Sequence, residues 1–139
     1  MRFVAYVACA AAVLFAAAAQ AQVANVKIGV LTDMSSLYAD DNGAGSVAAV
    51  KMAVEDFNPA AHNMKVDIVS ADHQNKPDIG SNIARQWFDV DGVDAIVDVP
   101  NSGVALAVSE VAREKNKVLL VSGAAISDLT GPKCSPNTV

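Results

Sequence analysis

Asp94-Ala95-Ile96-Val97-Asp98-Val99, a polar corner at Pro100-Asn101-Ser102-Gly103, the apolar positions Val104, Val108 and Val111, and then Val118-Leu119-Leu120-Val121 form the stretch whose reading decides the fold. An apolar run, a set of apolar residues at helical spacing and a second apolar run spell strand, helix, strand. The helix starts at Ser102 and closes on Glu114-Lys115-Asn116. There Lys115 suits the negative end of the helix dipole and Asn116 the left-handed turn that ends a helix. Four consecutive apolar residues in the last run fit a strand buried on both faces, as in a parallel sheet.

The same alternation extends upstream. Residues 25–31 read as a first strand, and Val47, Val50, Val54 and Phe57 recur at helical spacing until Asn58-Pro59 stops them. Residues 64–70 read as a second strand, Asp78 as the cap of a second helix, and Ile79, Ile83 and Trp87 as that helix's apolar stripe. Strands alternating with helices predict an α/β fold: an open parallel sheet with helices on both faces and right-handed crossovers. No helix follows the fourth strand before Val139, so the expectation is a bare last strand and one end of a larger protein.

The first 21 residues read as an export signal. Arg2 precedes an apolar run from Phe3 to Ala19, and Ala19-Gln20-Ala21 is an A-x-A cleavage pattern, so residues 22–139 form the expected mature chain. Cys9 lies inside the apolar run rather than at the cleavage point, which argues against a lipid-anchored N-terminus. The sequence carries 10 Lys and Arg against 15 Asp and Glu, a net charge of −5, with the acids scattered. Nucleic acid and anionic membrane are therefore poor partners. Cys134 is the one cysteine left after cleavage. An unpaired thiol is uncommon in an oxidising compartment, so it is expected either buried or paired beyond Val139, with the second favoured.

In open parallel sheets ligands sit beyond the carboxyl ends of the strands. That rule selects three loops: residues 32–43, 100–103 and 122–128. Asn101, Ser102 and Gly103 open a helix whose first N–H groups lack internal partners, a place to hold a small carboxylate, although capping alone also explains Ser102. Ser122-Gly123-Ala124-Ala125 follows the next strand with small side chains, so its backbone N–H groups and the Ser122 hydroxyl can approach the same ligand. Gly43-Ala44-Gly45-Ser46-Val47-Ala48 matches a dinucleotide fingerprint in letters only, because about ten loop residues separate it from the first strand. Its glycines read instead as the entry to a helix packed tightly on the sheet. Asp40-Asp41-Asn42 lacks the spacing of a calcium loop, and His62 and His73 lack partners at metal spacing and read as exposed. No metal, no cofactor and no catalytic set is expected.

Three segments carry a family resemblance: Val26-Lys27-Ile28-Gly29-Val30-Leu31-Thr32-Asp33-Met34-Ser35-Ser36-Leu37-Tyr38, the helix from Gly45 to Phe57, and Asp72-His73-Gln74-Asn75-Lys76-Pro77-Asp78. With Val121 to Ala125 and Asp128-Leu129-Thr130-Gly131, they resemble the first lobe of periplasmic substrate-binding proteins of the branched-chain amino-acid (leucine-binding-protein-like) ABC transporter family. The resemblance implies a periplasmic binding protein type I fold, with residues 22–139 as the N-terminal lobe of a two-lobed domain and the second lobe outside this chain. It implies a periplasmic solute receptor, not an enzyme, that closes on a small carboxylate and delivers it to a membrane permease. The carboxylate would be a branched-chain amino acid, a related amide, or an aromatic or other organic acid. Asn101, Ser102, Ala124 and Ala125 would hold the carboxylate and Tyr38 would form a wall, while Ile126 stands where the family often has a hydroxyl. The partner for a ligand ammonium would lie on the other lobe. An extracellular sensor domain would use the same fold, and an exported hydrolase or isomerase fragment would need a nucleophile with a base in hydrogen-bond reach.

Overall fold

The computed structural model describes residues 22–139. The export-signal reading of residues 1–21 lies outside the described residues. Four parallel strands, β1 (Ala24–Thr32), β2 (Met64–Asp72), β3 (Ala95–Asp98) and β4 (Val118–Val121), form one sheet in the order β2-β1-β3-β4. The crossovers are α1 (Gly43–Phe57), α2 (Pro77–Gln86) and α3 (Ser102–Lys115). The open parallel α/β sheet expected from the sequence is the one observed.

β1 is the central strand. It pairs with β2 over its whole length, from Ala24 opposite Met64 to Thr32 opposite Asp72, and with β3 from Ile28 opposite Ala95 to Leu31 opposite Asp98. The chain leaves β1 towards β2 on one side and later arrives at β3 on the other. Between β1 and β3 the winding direction therefore reverses, and the loops leaving these two strands part to form a crevice.

The helix ends follow from local chemistry. α1 stops at Phe57 with Asn58 in the left-handed conformation (φ 50°) before Pro59, and α3 stops with Asn116 left-handed (φ 51°), both as the sequence predicts. The start of α2 differs. Pro77 takes the first helical position after Lys76, so Asp78 lies inside the first turn, where its charge meets the dipole but its side chain caps nothing. α2 then widens into a π-helical turn over Trp87–Asp91, which carries Trp87 and Phe88 into the core.

The core is one-sided. Leu31, Ala84, Trp87, Phe88, Ile96, Val104, Val108, Val111 and Leu119 are buried together between the sheet and the α2/α3 layer. Across the sheet, α1 buries only Gly43; Val50 and Val54 are half-buried and Phe57 is exposed and stacked on His62. The tight packing expected of α1 is thus not found. A groove of about 530 Å³ runs beside it, lined by Val50, Ala53, Val97, Leu120 and Val139 among others.

The fourth strand is not bare. Residues 137–139 run parallel to it: Leu119 N–H donates to the Asn137 carbonyl at 2.8 Å, Val121 N–H to the Val139 carbonyl at 2.8 Å, and Val139 N–H to the Leu119 carbonyl at 2.9 Å. This corrects the expectation of an uncovered edge, whose short pairing segment has no strand-like apolar pattern to reveal it. Cys134 is exposed and unpaired among the described residues, which removes the alternative that it is buried.

Two glycines give opposite expectations. A methyl group on Gly29 would lie 2.4 Å from Trp87 Cζ3 in the core, whereas one on Gly45 would meet nothing within 4 Å. G29A is expected to lower stability by about 1–3 kcal/mol through overpacking, and G45A to raise it by roughly 0.5–1 kcal/mol through helix propensity. Urea unfolding monitored by Trp87 fluorescence reads both; equal effects would contradict the packing described.

Candidate functional site

Three loops emerge at the carboxyl ends of β1, β3 and β4, and each is held by side chains that local sequence placed at a strand end. The loop after β1 is wound around two carboxylates. Asp33 accepts hydrogen bonds from Ser36 N–H (3.0 Å), the Ser36 hydroxyl (2.5 Å), Tyr38 N–H (3.0 Å) and Ser35 N–H (3.4 Å). Asp72, at the end of β2, accepts from Met34 N–H (3.0 Å), the Ser35 hydroxyl (2.6 Å) and Gln74 N–H (2.8 Å). Tyr38 is half-buried, its N–H fixed by Asp33 and its carbonyl by Asn42 N–H at 2.9 Å.

At the end of β3 the backbone departs from a regular strand. Asp98 and Val99 both have positive φ, 82° and 56°. Such conformations cost of the order of 1–3 kcal/mol each in residues other than glycine and persist only where their surroundings impose them. Here Val99 enters the core and its N–H donates to the Leu31 carbonyl at 3.0 Å, while the Asp98 carboxylate turns to the neighbouring loops. Asp98 is 3 % exposed. Its Oδ1 accepts from Asn42 Nδ2 at 3.0 Å and from the Ser122 hydroxyl at 2.9 Å; its Oδ2 is buried without a partner. Ser122 N–H also donates to the Asp98 carbonyl, at 3.1 Å.

The predicted site residues fall as follows. Asn101 caps α3, its Oδ1 accepting from Val104 N–H at 2.9 Å, so that this side chain serves the helix rather than open space. Ser102 sits at the first helical position, half-exposed, and the N–H groups of Ser102 and Gly103 have no partner among the described residues. Both polar groups of Ser122 are engaged by Asp98. Ala124 packs against the core together with Ile126, and Ala125 is exposed. The loops after β3 and β4 touch: a methyl group on Gly123 would lie 3.0 Å from Pro100 Cα and 3.3 Å from Asn42 Nδ2. Five of the six residues, Asn101, Ser102, Ser122, Ala124 and Ala125, thus belong to two adjoining loops, and Tyr38 belongs to the third.

Sequence reading missed the acids. Asp33 and Asp98 are buried, and with Asp72 they stand at three adjacent strand ends, so the acids are not all a scattered surface set. The available signal was their position immediately after apolar runs, as in Ile96-Val97-Asp98. His73 is also a correction: it is fully buried, its Nδ1 accepting from Asn75 N–H at 3.0 Å and its Nε2 without a partner. No cluster of three or more His, Cys, Asp or Glu with metal-holding geometry exists among the described residues. The hydroxyls of Ser35, Ser36 and Ser122 each donate to a carboxylate, those of Asp72, Asp33 and Asp98 respectively. No helix among the described residues is long and apolar enough to cross a membrane.

The electrostatics of these groups share one direction. Burial raises the Asp33 pKa, but the hydrogen bonds from Ser36, Tyr38 and Ser35 outweigh it and hold the group below 3.8. Burial and the Asp33 charge raise that of Asp72, and the bonds from Ser35, Met34 and Gln74 again prevail. For His73, burial lowers the pKa below 6.5 against the opposing pull of Asp33, Asp72 and Asp98.

Comparison with known proteins shows the family and supports the fold. Residues 25–139 match the family described as periplasmic binding protein. A periplasmic binding protein of Burkholderia mallei is similar at 48 % identity and a TM-score of 0.79 over 83 % of this chain and 31 % of its own. A branched-chain amino acid ABC transporter periplasmic ligand-binding protein of Burkholderia xenovorans LB400 is similar at 51 % identity and a TM-score of 0.77, over 81 % of this chain and 30 % of its own. A solute-binding protein of an ABC transporter from Rhodopseudomonas palustris, solved with 4-hydroxybenzoate, is similar at 25 % identity and a TM-score of 0.74, over 83 % and 31 %. No curated protein matches the chain. The chain spans about a third of the length of these solved structures.

A pH titration tests the buried groups. Below pH 6.5 the unfolded chain protonates His73 while the folded protein resists, and below 3.8 the same holds for Asp33 and Asp72; in both windows the unfolded state binds more protons and stability falls. The urea midpoint is expected to decline in two stages on acidification, and H73Q to remove the first. A wild-type midpoint that stays level down to about pH 4.5 would contradict this assignment.

Proposed function

The chain belongs to the periplasmic binding protein family, and from that premise we propose that it supplies one jaw of a periplasmic receptor that captures a small organic carboxylate for an ABC transporter permease. The observation that carries the reading is the convergence of three loops at the winding reversal, with the N–H groups of Ser102 and Gly103 open at the positive end of α3. A carboxylate there accepts two backbone hydrogen bonds and sits on the helix dipole. Residues 123–125 approach from the next loop with side chains no larger than methyl, and Tyr38 supplies a wall. The ligand is a branched-chain amino acid or an aromatic acid, a range consistent with the branched-chain amino acid transporter named for one relative and the 4-hydroxybenzoate bound by another. The export signal read in residues 1–21 fits delivery to the periplasm.

The second jaw belongs to the length of the relatives that this chain does not span. Closure between jaws removes water from the ligand, which strengthens each hydrogen bond that holds it. Calorimetric titration of the full-length protein and of residues 22–139 with L-leucine, L-isoleucine, benzoate and 4-hydroxybenzoate tests the reading. At least one acid is expected to bind the full-length protein with micromolar or tighter affinity, and the shorter chain to bind it ~100-fold more weakly. Equal affinity of the two would show that one lobe suffices and refute the two-jawed site.

A further inference from the structure

Asp98 joins all three loops of the site through one oxygen. It stands on β3, immediately before the corner that opens α3; Asn42, which donates to its Oδ1, closes the loop after β1; Ser122, which donates to the same Oδ1, opens the loop after β4. Asn42 and Asp98 lie on opposite sides of the winding reversal, so this bond spans the crevice in which a ligand would sit. Bonds to a carboxylate are stronger than those between neutral groups, and this carboxylate is almost wholly shielded from water.

Simple reinforcement of the fold does not account for the arrangement. The sheet is already paired through its backbone, and Ser122 N–H is already bound to the Asp98 carbonyl. The carboxylate adds a link between loops that the sheet leaves free to part. It does so from two consecutive left-handed residues and with Oδ2 left unpartnered, both unfavourable for stability alone.

We propose that Asp98 is a positioning residue: it fixes the loops after β1 and β4 to the end of β3 so that the open N–H groups of Ser102 and Gly103 and of residues 123–125 face one ligand. The inference rests on the receptor reading above. Asp98 acts through Asn42 and Ser122 and does not itself touch the ligand. Its unpartnered Oδ2 makes the isosteric amide an informative variant, because D98N keeps an oxygen where Asn42 and Ser122 donate while it removes the charge that strengthens both bonds.

The test uses the full-length protein and whichever of L-leucine, L-isoleucine, benzoate and 4-hydroxybenzoate binds the wild type. D98A is expected to weaken binding about tenfold or more, the loss of two charge-assisted hydrogen bonds. It should also speed amide exchange at Ser122 and Gly123, and D98N, which keeps the acceptor oxygen but not its charge, should restore both measures in part. If the wild type binds none of the four acids, the receptor reading fails and the inference with it. If the wild type binds but D98A binds equally well, or loses melting temperature without losing affinity, Asp98 does not position the site. If D98N is as weak as D98A, an acceptor oxygen at this position does not hold the loops and the positioning role is overturned. Should D98A not fold, N42A and S122A replace it: their effects on affinity are expected to be non-additive because both donors share one acceptor, and strict additivity would overturn the proposal.

Discussion

The pairing of β1 on both edges is the constraint on which the rest of this structure depends. A parallel strand flanked on each side needs two crossovers that leave in opposite directions, and the loops that begin those crossovers must part at its carboxyl end. Most of the buried polar side chains among the described residues gather there: Thr32 and Asp33 at the end of β1, His73 after β2 and Asp98 at the end of β3, with the half-buried Asp72 beside them. Where the strands stop, backbone pairing stops as well, and side-chain carboxylates take over as acceptors for the N–H groups of the loops. Asp33 does this within one loop, Asp72 between the loops after β1 and β2, and Asp98 binds side chains of two other loops, the Asn42 amide and the Ser122 hydroxyl.

The two faces of the sheet are unequal in a way that follows from the helices. α2 and α3 approach each other closely, because Gly80 has no side chain to hold Val104 away, and together with the π-helical turn at Trp87 they enclose the core. α1 is alone on its face and carries Ala44, Ala48, Ala49 and Ala53 among its few larger apolar residues, so it covers the sheet without filling the space beneath. The carboxyl end of the sheet is built from both layers: Asn42 at the start of α1 and Asn101 at the start of α3 each commit a side chain there, one to Asp98 and the other to its own helix.

Much of this was legible in the sequence. The alternation of apolar runs with helical spacing is a local signal, and it gave all four strands, the ends of α1 and α3, and the three loops that meet. The failures have physical causes. Asp78 reads as a cap because an acid before an apolar stripe often is one, but Pro77 with its fixed φ begins the helix two residues earlier than that cap implies, with Lys76 as the capping position. His73 was read as exposed because its neighbours in sequence are polar; those neighbours are polar because they hold the ends of buried strands. The segment after Ser135 was read as leaving β4 bare because two backbone-paired residues need no particular side chains.

By itself the sequence determined the fold class and the family and singled out three loops as the candidate site, since each follows from patterns within a dozen residues or from several motifs in fixed order. The tertiary structure decided which groups at that site are free and which are already used. Asn101 and Ser122 look alike in sequence, two small polar residues at strand ends, yet one is spent on capping α3 and the other on Asp98. Asp98 itself could not be singled out from the other acids, because its role comes from three loops separated by some 80 residues of chain, from Asn42 to Ser122, being brought to one oxygen. That convergence is a property of how β1 is paired, and no local pattern encodes it.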